Sequence, residues 1–204
     1  MTVALRCPAM IIAFNKPFGD VAEARLGRTH RPCLAACQLP AGVRLAGGLA
    51  PDSEGLLLLT DEPEVHDQLL KPAAKFPHVY WVQVERIPTE ATLNRLQKGV
   101  AHRGQIPPAC RAWLLAINPD VQPLTSGERS RRIVPLCWLG FNVIDTTDRQ
   151  IRQLTADVGH PTVRLMRLQI GTFALGELPL GQWRALTPAE RSQLIGKQTA
   201  IGSP

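Results

Sequence analysis

Basic side chains are the most abundant groups in this chain that could bind another molecule. The 204 residues include 23 Lys and Arg against 17 Asp and Glu, which leaves a net charge of +6. A basic balance favours polyanionic partners, and Lys and Arg contact the phosphates of nucleic acids. Ion pairing with nearby carboxylates is the alternative role for the same side chains. The candidates for phosphate contact are Lys16, Arg149, Arg152, Arg164 and Arg167.

Three further residues belong to types that act as acids, bases or stacking groups. Tyr80 lies in a segment of alternating pattern, where its ring either stacks on a nucleic-acid base or packs in the core of a sheet. Asp52 lies in a loop rich in Gly, Pro and Ser, where an aspartate commonly satisfies backbone groups. His160 follows Gly159 at the end of a predicted helix, which is more typical of a cap-region residue than of a catalytic base.

The cysteines and the hydropathy of the chain limit which class of protein it can be: metal-binding, secreted or membrane-inserted. Of the five cysteines, Cys33 and Cys37 are the nearest pair, and no second Cys/His pair follows at zinc-ligand spacing. The sequence therefore predicts no metal site, and thiols that stay reduced in the cytoplasm. No apolar run reaches the roughly 18 residues of a membrane span, and residues 1–10 do not have the pattern of an export signal. A cytoplasmic protein without membrane contact is expected.

The elements that would position these residues follow from the hydrophobic pattern. Helices are predicted at 62–70, 88–99 and 148–159, with short ones within 20–43 and in a C-terminal tail at 187–204. Strands in meander order with inserted helices indicate an α+β fold built on an antiparallel sheet. We expect one domain over 1–204, made of two packed subdomains. Strands are predicted at 10–19, 56–60, 78–86, 111–117, 135–144 and 162–175.

Four segments, in order, carry a family resemblance. Asn15–Gly19 (NKPFG) is similar to an N-K-P-x-G opening, and Asp52–Thr60 (DSEGLLLLT) to the second half of a G-R-L-D-x-(D/T)-x-(S/E)-G-L-L-L-L-T signature. Tyr80–Glu85 (YWVQVE) is similar to a K-x-Y-x-V-x-V-E-G strand. Arg149–Leu186 is similar to a block that begins R-Q-(V/I)-R-R-M and ends G-x-(W/Y)-R-x-L. The chain therefore resembles the RNA pseudouridine synthases of the RsuA/RluE type.

This resemblance implies a fold, a reaction and partners. The expected fold is a mixed, mainly antiparallel sheet with flanking helices and a central RNA-binding cleft, and no separate N-terminal RNA-binding domain is expected. The family reaction flips a uridine out of RNA, breaks its glycosidic bond and rejoins the uracil through carbon as pseudouridine. It needs no cofactor and no metal. Ribosomal RNA is the expected partner, and a monomer the expected state.

At the family's functional positions this sequence departs from the motif. The nucleophilic Asp of G-R-L-D is replaced by Ala50, and the Arg of the same motif by Gly48. In the E-G-R-N-R-Q segment that leads into the last block, Thr147 stands at the Arg that pairs with the catalytic Asp. His78 replaces a Lys, while the base-stacking Tyr80 is retained. An alanine can neither attack, nor accept a proton, nor carry charge.

The sequence therefore predicts that isomerase activity is lost or severely impaired and that RNA binding is the property to test. Removing only the carboxylate would leave a buried unpaired guanidinium, at about 3–5 kcal/mol, whereas here both partners are absent. One alternative is an active ribosomal RNA pseudouridine synthase that uses another carboxylate. Asp52 is the candidate, although two residues along an extended chain place it about 6–7 Å from position 50. The other alternative is a protein-binding scaffold without an RNA role.

Overall fold

The computed structural model describes residues 9–19, 37–70, 76–99, 110–121, 134–144 and 147–196. Within these ranges lie nine strands and four helices. The strands are β1 (Ile11–Lys16), β2 (Arg44–Leu45), β3 (Glu54–Thr60), β4 (Pro77–Glu85), β5 (Arg111–Leu114), β6 (Leu136–Ile144), β7 (Thr162–Ile170), β8 (Phe173–Ala174) and β9 (Trp183–Ala185). The helices are α1 (Pro63–Leu70), α2 (Glu90–Lys98), α3 (Asp148–Asp157) and α4 (Pro188–Gly196).

All nine strands belong to one mixed sheet. Its order is β5-β6-β4-β7-β3-β1-β9, with β2 added to β3 and β8 added to β7. Every pairing in the described part of the chain is antiparallel except that between β3 and β7. The expected α+β fold with a mixed, mainly antiparallel sheet and flanking helices is confirmed. The division into two subdomains stays a prediction.

The β1–β3 hairpin is apolar on both faces, which explains its unbroken hydrophobic sequence. Every residue of β1 and β3 is buried. Because successive side chains of a strand point to opposite faces, Phe14 and Leu57 enter one core cluster while Ala13 and Leu58 enter another. Two-sided burial requires residues that are apolar at consecutive positions. The run of four leucines in β3 is therefore a central strand covered on both sides.

The two halves of the sheet meet at a short parallel contact, the β3–β7 seam, formed by Glu54, Gly55, Met166 and Arg167. Gly55 has φ +95°, and a Cβ there would lie 2.3 Å from the carbonyl oxygen of Arg167. The seam thus has room only for glycine. Beside it, Arg164 donates from Nε to Oε1 of Glu54 at 2.6 Å and from Nη2 to Oε2 at 2.7 Å. This bidentate ion pair is buried.

The predicted helices and strands are largely present, with differences at their ends. Thr147 caps α3, since its hydroxyl accepts from the Gln150 N–H while the Gln150 side chain accepts from the Thr147 N–H. The predicted strand at 162–175 is wrong as one element, because the chain turns at Gly171 with φ +58° and returns as β8. The predicted strand at 111–117 is shorter and ends at Leu114. The part of the short helix expected within 20–43 that precedes residue 37 lies outside the described residues. No helix in the described ranges combines the length and apolarity needed to cross a membrane.

Candidate functional site

A loop between β2 and β3, residues 46–53, carries two of the positions at which the sequence departs from the family motif, Gly48 and Ala50. Ala50 is half-buried there, and its carbonyl accepts from the Ser53 N–H at 3.0 Å, which closes a tight turn. The Ala50 N–H donates to Oδ2 of Asp148 at 2.7 Å. Asp148 is the first residue of α3. The start of α3 is therefore bonded directly to the residue that the motif resemblance aligns with the family's nucleophile.

Lys16 forms hydrogen bonds that stabilise this loop. Its side chain is 1% exposed, and its ammonium donates to the carbonyl of Ser53 at 2.6 Å and to those of Pro17 and Pro51 at 3.0 Å each. A buried ammonium needs such acceptors because desolvation of a charge is costly. The NKPFG turn is also tied to the loop by the Gly19 N–H, which donates to the Pro51 carbonyl at 2.9 Å. This lysine positions the loop instead of facing solvent.

Arg152 fastens the other end of the loop to α3. Its Nη2 donates to the Asp52 carbonyl at 2.5 Å and lies 3.4 Å from the Asp52 carboxylate. The Asp52 side chain is 54% exposed, so its carboxylate forms an ion pair at the surface. Asp52, the candidate for another catalytic carboxylate, therefore stabilises the loop, as aspartates commonly do in turns.

Opposite the loop, Tyr80 and Arg167 face each other across neighbouring strands. They are cross-strand partners in the β4–β7 ladder, and both are buried at 1% and 4% exposure. The Arg167 guanidinium donates from Nε to the Leu56 carbonyl at 2.8 Å and from Nη1 to the Gly48 carbonyl at 3.2 Å. Arg167 thus reaches from β7 across the seam to the loop. The Tyr80 hydroxyl lies 3.5 Å from Nδ1 of His78.

The electrostatics of these groups follow from burial and from two opposed charges. Burial raises the pKa of Tyr80; the positive charge of Arg167 opposes this rise and the negative charge of Asp148 adds to it. Burial, followed by the charge of Arg167, lowers the pKa of His78 to about 4. His78 is therefore neutral at pH 7, whereas the family motif has a charged lysine at this position. Arg167 is left as the cation next to Tyr80.

The structure brings together some of the predicted site residues and separates others. Gly48, Ala50 and Tyr80 surround Arg167 and Asp148, whereas the Thr147 side chain is engaged in capping α3. Arg149 is exposed and Arg152 is partly exposed. Phosphate contact is not supported for three of the predicted basic residues, because their charged ends are bonded inside the protein. These are Lys16, Arg164 and Arg167.

Asp148 is the site residue that the sequence reasoning missed. The sequence pattern predicts only a helix that begins at residue 148, and the bond of Asp148 to Ala50 joins positions 98 apart in the chain. A weak signal was present in the sequence, since Asp148 stands where the resembling E-G-R-N-R-Q motif has Asn. The chain thus has a carboxylate at position 148, where the motif has an amide, and lacks one at position 50, where the motif has Asp.

A known fold has the same architecture. A solved structure described as a pseudouridylate synthase superimposes with a TM-score of 0.74 over 92% of this chain and 74% of that chain, at 22% identity. A structure of an H/ACA RNP bound to a substrate RNA containing 2'-deoxyuridine matches with a TM-score of 0.54 over 84% of this chain and 50% of that one. The sheet and its flanking helices thus define a pseudouridine synthase fold.

Sequence relatives identify the family. A protein of Xanthomonas campestris pv. campestris named ribosomal large subunit pseudouridine synthase E is 40% identical over 177 residues, which cover 86% of this chain and 94% of the relative. A protein of the same name from Vibrio vulnificus is 35% identical, covering 87% of this chain and 75% of the relative. No protein-family model matches the chain. The chain belongs to the pseudouridine synthase family.

Proposed function

We propose that this protein is a pseudouridine synthase family member in which the isomerisation of uridine to pseudouridine in ribosomal RNA is lost or severely impaired, and which retains RNA binding. One observation carries the proposal: the side chain at the nucleophile's position is the methyl group of Ala50. A methyl group provides no lone pair for a nucleophile or base and no charge to stabilise an electron-poor sugar. The target is inferred from the names of the relatives, which refer to the ribosomal large subunit.

The surroundings of Ala50 are consistent with a site that folds without the catalytic pair. Thr147, at the position of the family's pairing arginine, instead caps α3 with its hydroxyl. A cap of this kind contributes about 1 kcal/mol to helix stability. The site is therefore spared the cost of a buried arginine without its carboxylate.

RNA binding is supported by the basic face beside the loop. Arg149 is exposed on the first turn of α3, Arg152 on the next turn is partly exposed while paired with Asp52, and the whole chain carries a net charge of +6. Positively charged side chains contact the phosphates of nucleic acids. We further propose a monomeric protein that acts in the cytoplasm, where the expected RNA partner is found.

The test measures conversion and binding on the same preparation. Purified protein is incubated with fragments of large-subunit ribosomal RNA, with the Xanthomonas campestris relative as the active control. We expect RNA binding that weakens with salt, and conversion at least about a thousandfold slower than the control, the scale on which loss of a catalytic group acts. Conversion at the control's rate would overturn the proposal and favour an active enzyme that uses another carboxylate. Absence of both activities would favour the protein-binding scaffold.

A further inference from the structure

Three of the four tryptophans of the chain lie on one side of the sheet, which we call the tryptophan face. They are Trp81 on β4, Trp113 on β5 and Trp138 on β6. Residues paired across neighbouring strands share a face, and Trp81 and Trp113 both pair with Gly140, two residues from Trp138 on β6. Ala112, next to Trp113, points to the opposite face and enters the core cluster of Tyr80. The tryptophan face is therefore the side of the sheet turned away from Tyr80.

The helices in the described part of the chain cover other areas of the sheet. Leu96 of α2 and Ile151 of α3 belong to the core cluster of Tyr80, on the opposite face. The buried residues of α1 and α4 belong to the second cluster, together with residues of β1 and β3. Trp113 is 38% exposed, and Trp81 is partly exposed. The tryptophan face thus presents two aromatic rings at the surface.

Trp113 lies directly against the glycine beside it. A Cβ on Gly140 would come within 2.2, 2.3 and 2.7 Å of Cε2, Cζ2 and Nε1 of the Trp113 indole, so the ring fills the space of a side chain at this position. Glycine inside a strand often marks such a close approach. A ring that is already fixed on the sheet loses little conformational freedom when a ligand binds. It is therefore a preorganised surface for a second flat ring.

An exposed guanidinium lies beside this ring. Arg111 is on the same strand and face as Trp113, two residues away, which corresponds to about 7 Å along a strand. Arg111 forms no ion pair in the described part of the chain. The other charged strand residues of this face, Arg164 and Glu85, are each in an ion pair within the protein. One unpaired positive charge beside an aromatic ring suits a phosphate attached to a flat group.

We propose that the tryptophan face binds an unpaired nucleotide of RNA, with the base stacked on Trp113 and an adjoining phosphate paired with Arg111. Aromatic side chains stack on any base, and single-stranded nucleic acids bind where such rings adjoin positive charge. An apolar protein surface fits less well, because it would desolvate the Arg111 guanidinium without pairing it. This contact is separate from α3, which packs on the other face, and does not depend on whether the chain isomerises uridine.

The first test measures the affinity of the whole chain for a short, fluorescently labelled oligouridine by fluorescence anisotropy. We expect Trp113→Leu to weaken the affinity by about fivefold or more, the effect of losing one base stack. Trp113→Phe keeps an aromatic ring and should have an intermediate affinity. Trp183→Phe is the matched control, because Trp183 packs against the core cluster of Tyr80 on the other face. It should leave the affinity unchanged.

The second test measures the charge contribution of Arg111. Arg111→Ala removes an exposed cation and should lower the slope of log affinity against log salt concentration by about 0.7, the share of one phosphate contact to a single strand. Arg95→Ala removes the same charge from an exposed position on α2. It should leave the slope unchanged.

The outcomes separate this inference from the proposed function. Oligouridine that does not bind the folded chain, or that binds the Trp113→Leu and Arg111→Ala variants as it binds the unmodified chain, overturns the inference. We expect the effect of Trp113→Leu to persist in a chain that also carries Arg149→Ala and Arg152→Ala, and its disappearance there would place the oligouridine on α3 and refute the inference. Conversion of uridine at the control's rate would refute the proposed function alone. Circular dichroism confirms that each variant is folded.

Discussion

At the scale of single residues, the site is built from side chains whose charge is set by their neighbours. His78 illustrates this, because burial and the nearby Arg167 lower its pKa to about 4. An ordinary histidine titrates near 6.5, so the unfolded chain binds a proton at this residue over a pH range in which the folded chain does not. Neutral His78 is therefore a condition for the packing around Tyr80.

The low pKa of His78 predicts an acid-dependent loss of stability. Between about pH 6.5 and pH 4 the unfolded state binds more protons, so the contribution of His78 to stability falls as the pH decreases through this window. We expect His78→Gln to flatten this part of the curve of unfolding free energy against pH. Urea unfolding of both proteins from pH 4 to pH 8 provides the measurement. Parallel curves for the two proteins would contradict the predicted linkage.

Residue types predicted part of the site and could not predict the rest. The order of the motifs predicts site positions 48, 50, 80 and 147, because these are set by a pattern along the chain, and their roles stay predictions. The roles of Lys16 and Asp148 depend on contacts with residues 37 and 98 positions away. The sequence also could not predict that Arg164 and Arg167 are buried, because nothing in the sequence distinguishes an arginine that pairs with a buried glutamate from one that faces solvent. Long-range partners are set by the fold and not by spacing.

At the scale of elements, the β3–β7 seam depends on a single glycine. A methyl group at Gly55 would collide with the backbone of Arg167, and φ +95° is unfavourable for a residue with a side chain. We expect Gly55→Ala to lower the free energy of unfolding by more than about 2 kcal/mol, as overpacking and backbone strain combine. Chemical denaturation followed by circular dichroism measures the loss.

Gly48→Ala is the matched control for this prediction. Gly48 lies in the adjoining loop, and a Cβ there would meet nothing within 4 Å. We expect a change within about 0.5 kcal/mol, which is usual for substitutions that remove no special feature. Equal losses in both variants would show that the seam has no particular need for glycine.

The strands could be predicted from the sequence, but the way in which they pair could not. Alternating and apolar patterns along the chain predicted β1, β3, β4, β6 and β7. The meander order expected for them is wrong, because β4 lies between β6 and β7 and β1 lies between β3 and β9. The parallel contact between Gly55 and Arg167 has no local signal, because it joins segments separated by more than a hundred residues. Only the glycine itself, inside an otherwise apolar strand, pointed to a close backbone approach.

At the scale of the whole molecule, the basic charge gives a quantitative expectation for RNA binding. Each phosphate contact to single-stranded RNA contributes about 0.7 to the slope of log affinity against log salt concentration. We expect the double variant Arg149→Ala, Arg152→Ala to reduce this slope by about 1.4, the share of two such contacts. Fluorescence anisotropy with labelled ribosomal RNA fragments at several salt concentrations measures it.

Arg95 provides a control of the same residue type for the salt experiment. It is exposed on α2, a helix whose contacts are with β5 at the far edge of the sheet. Arg95→Ala removes one positive charge, half of what the double variant removes, and should leave the slope unchanged. A slope reduced by Arg95→Ala by half as much as by the double variant would mean that RNA binding responds to net charge and not to a face formed by α3.

The order of the strands also governs how the polypeptide emerges during synthesis. The apolar hairpin of β1 and β3 is made early, yet its outer neighbours, β9 and β7, come from the last third of the chain. At about 5–20 residues per second, the nascent pair of β1 and β3 waits on the order of ten seconds with the β1 edge unpaired and with β2 paired to β3 only at Leu59 and Thr60. An uncovered leucine-rich hairpin of this kind is prone to aggregate. Translation of this protein should therefore depend on a chaperone that shields the β1–β3 pair on the ribosome until β7 and β9 have been made.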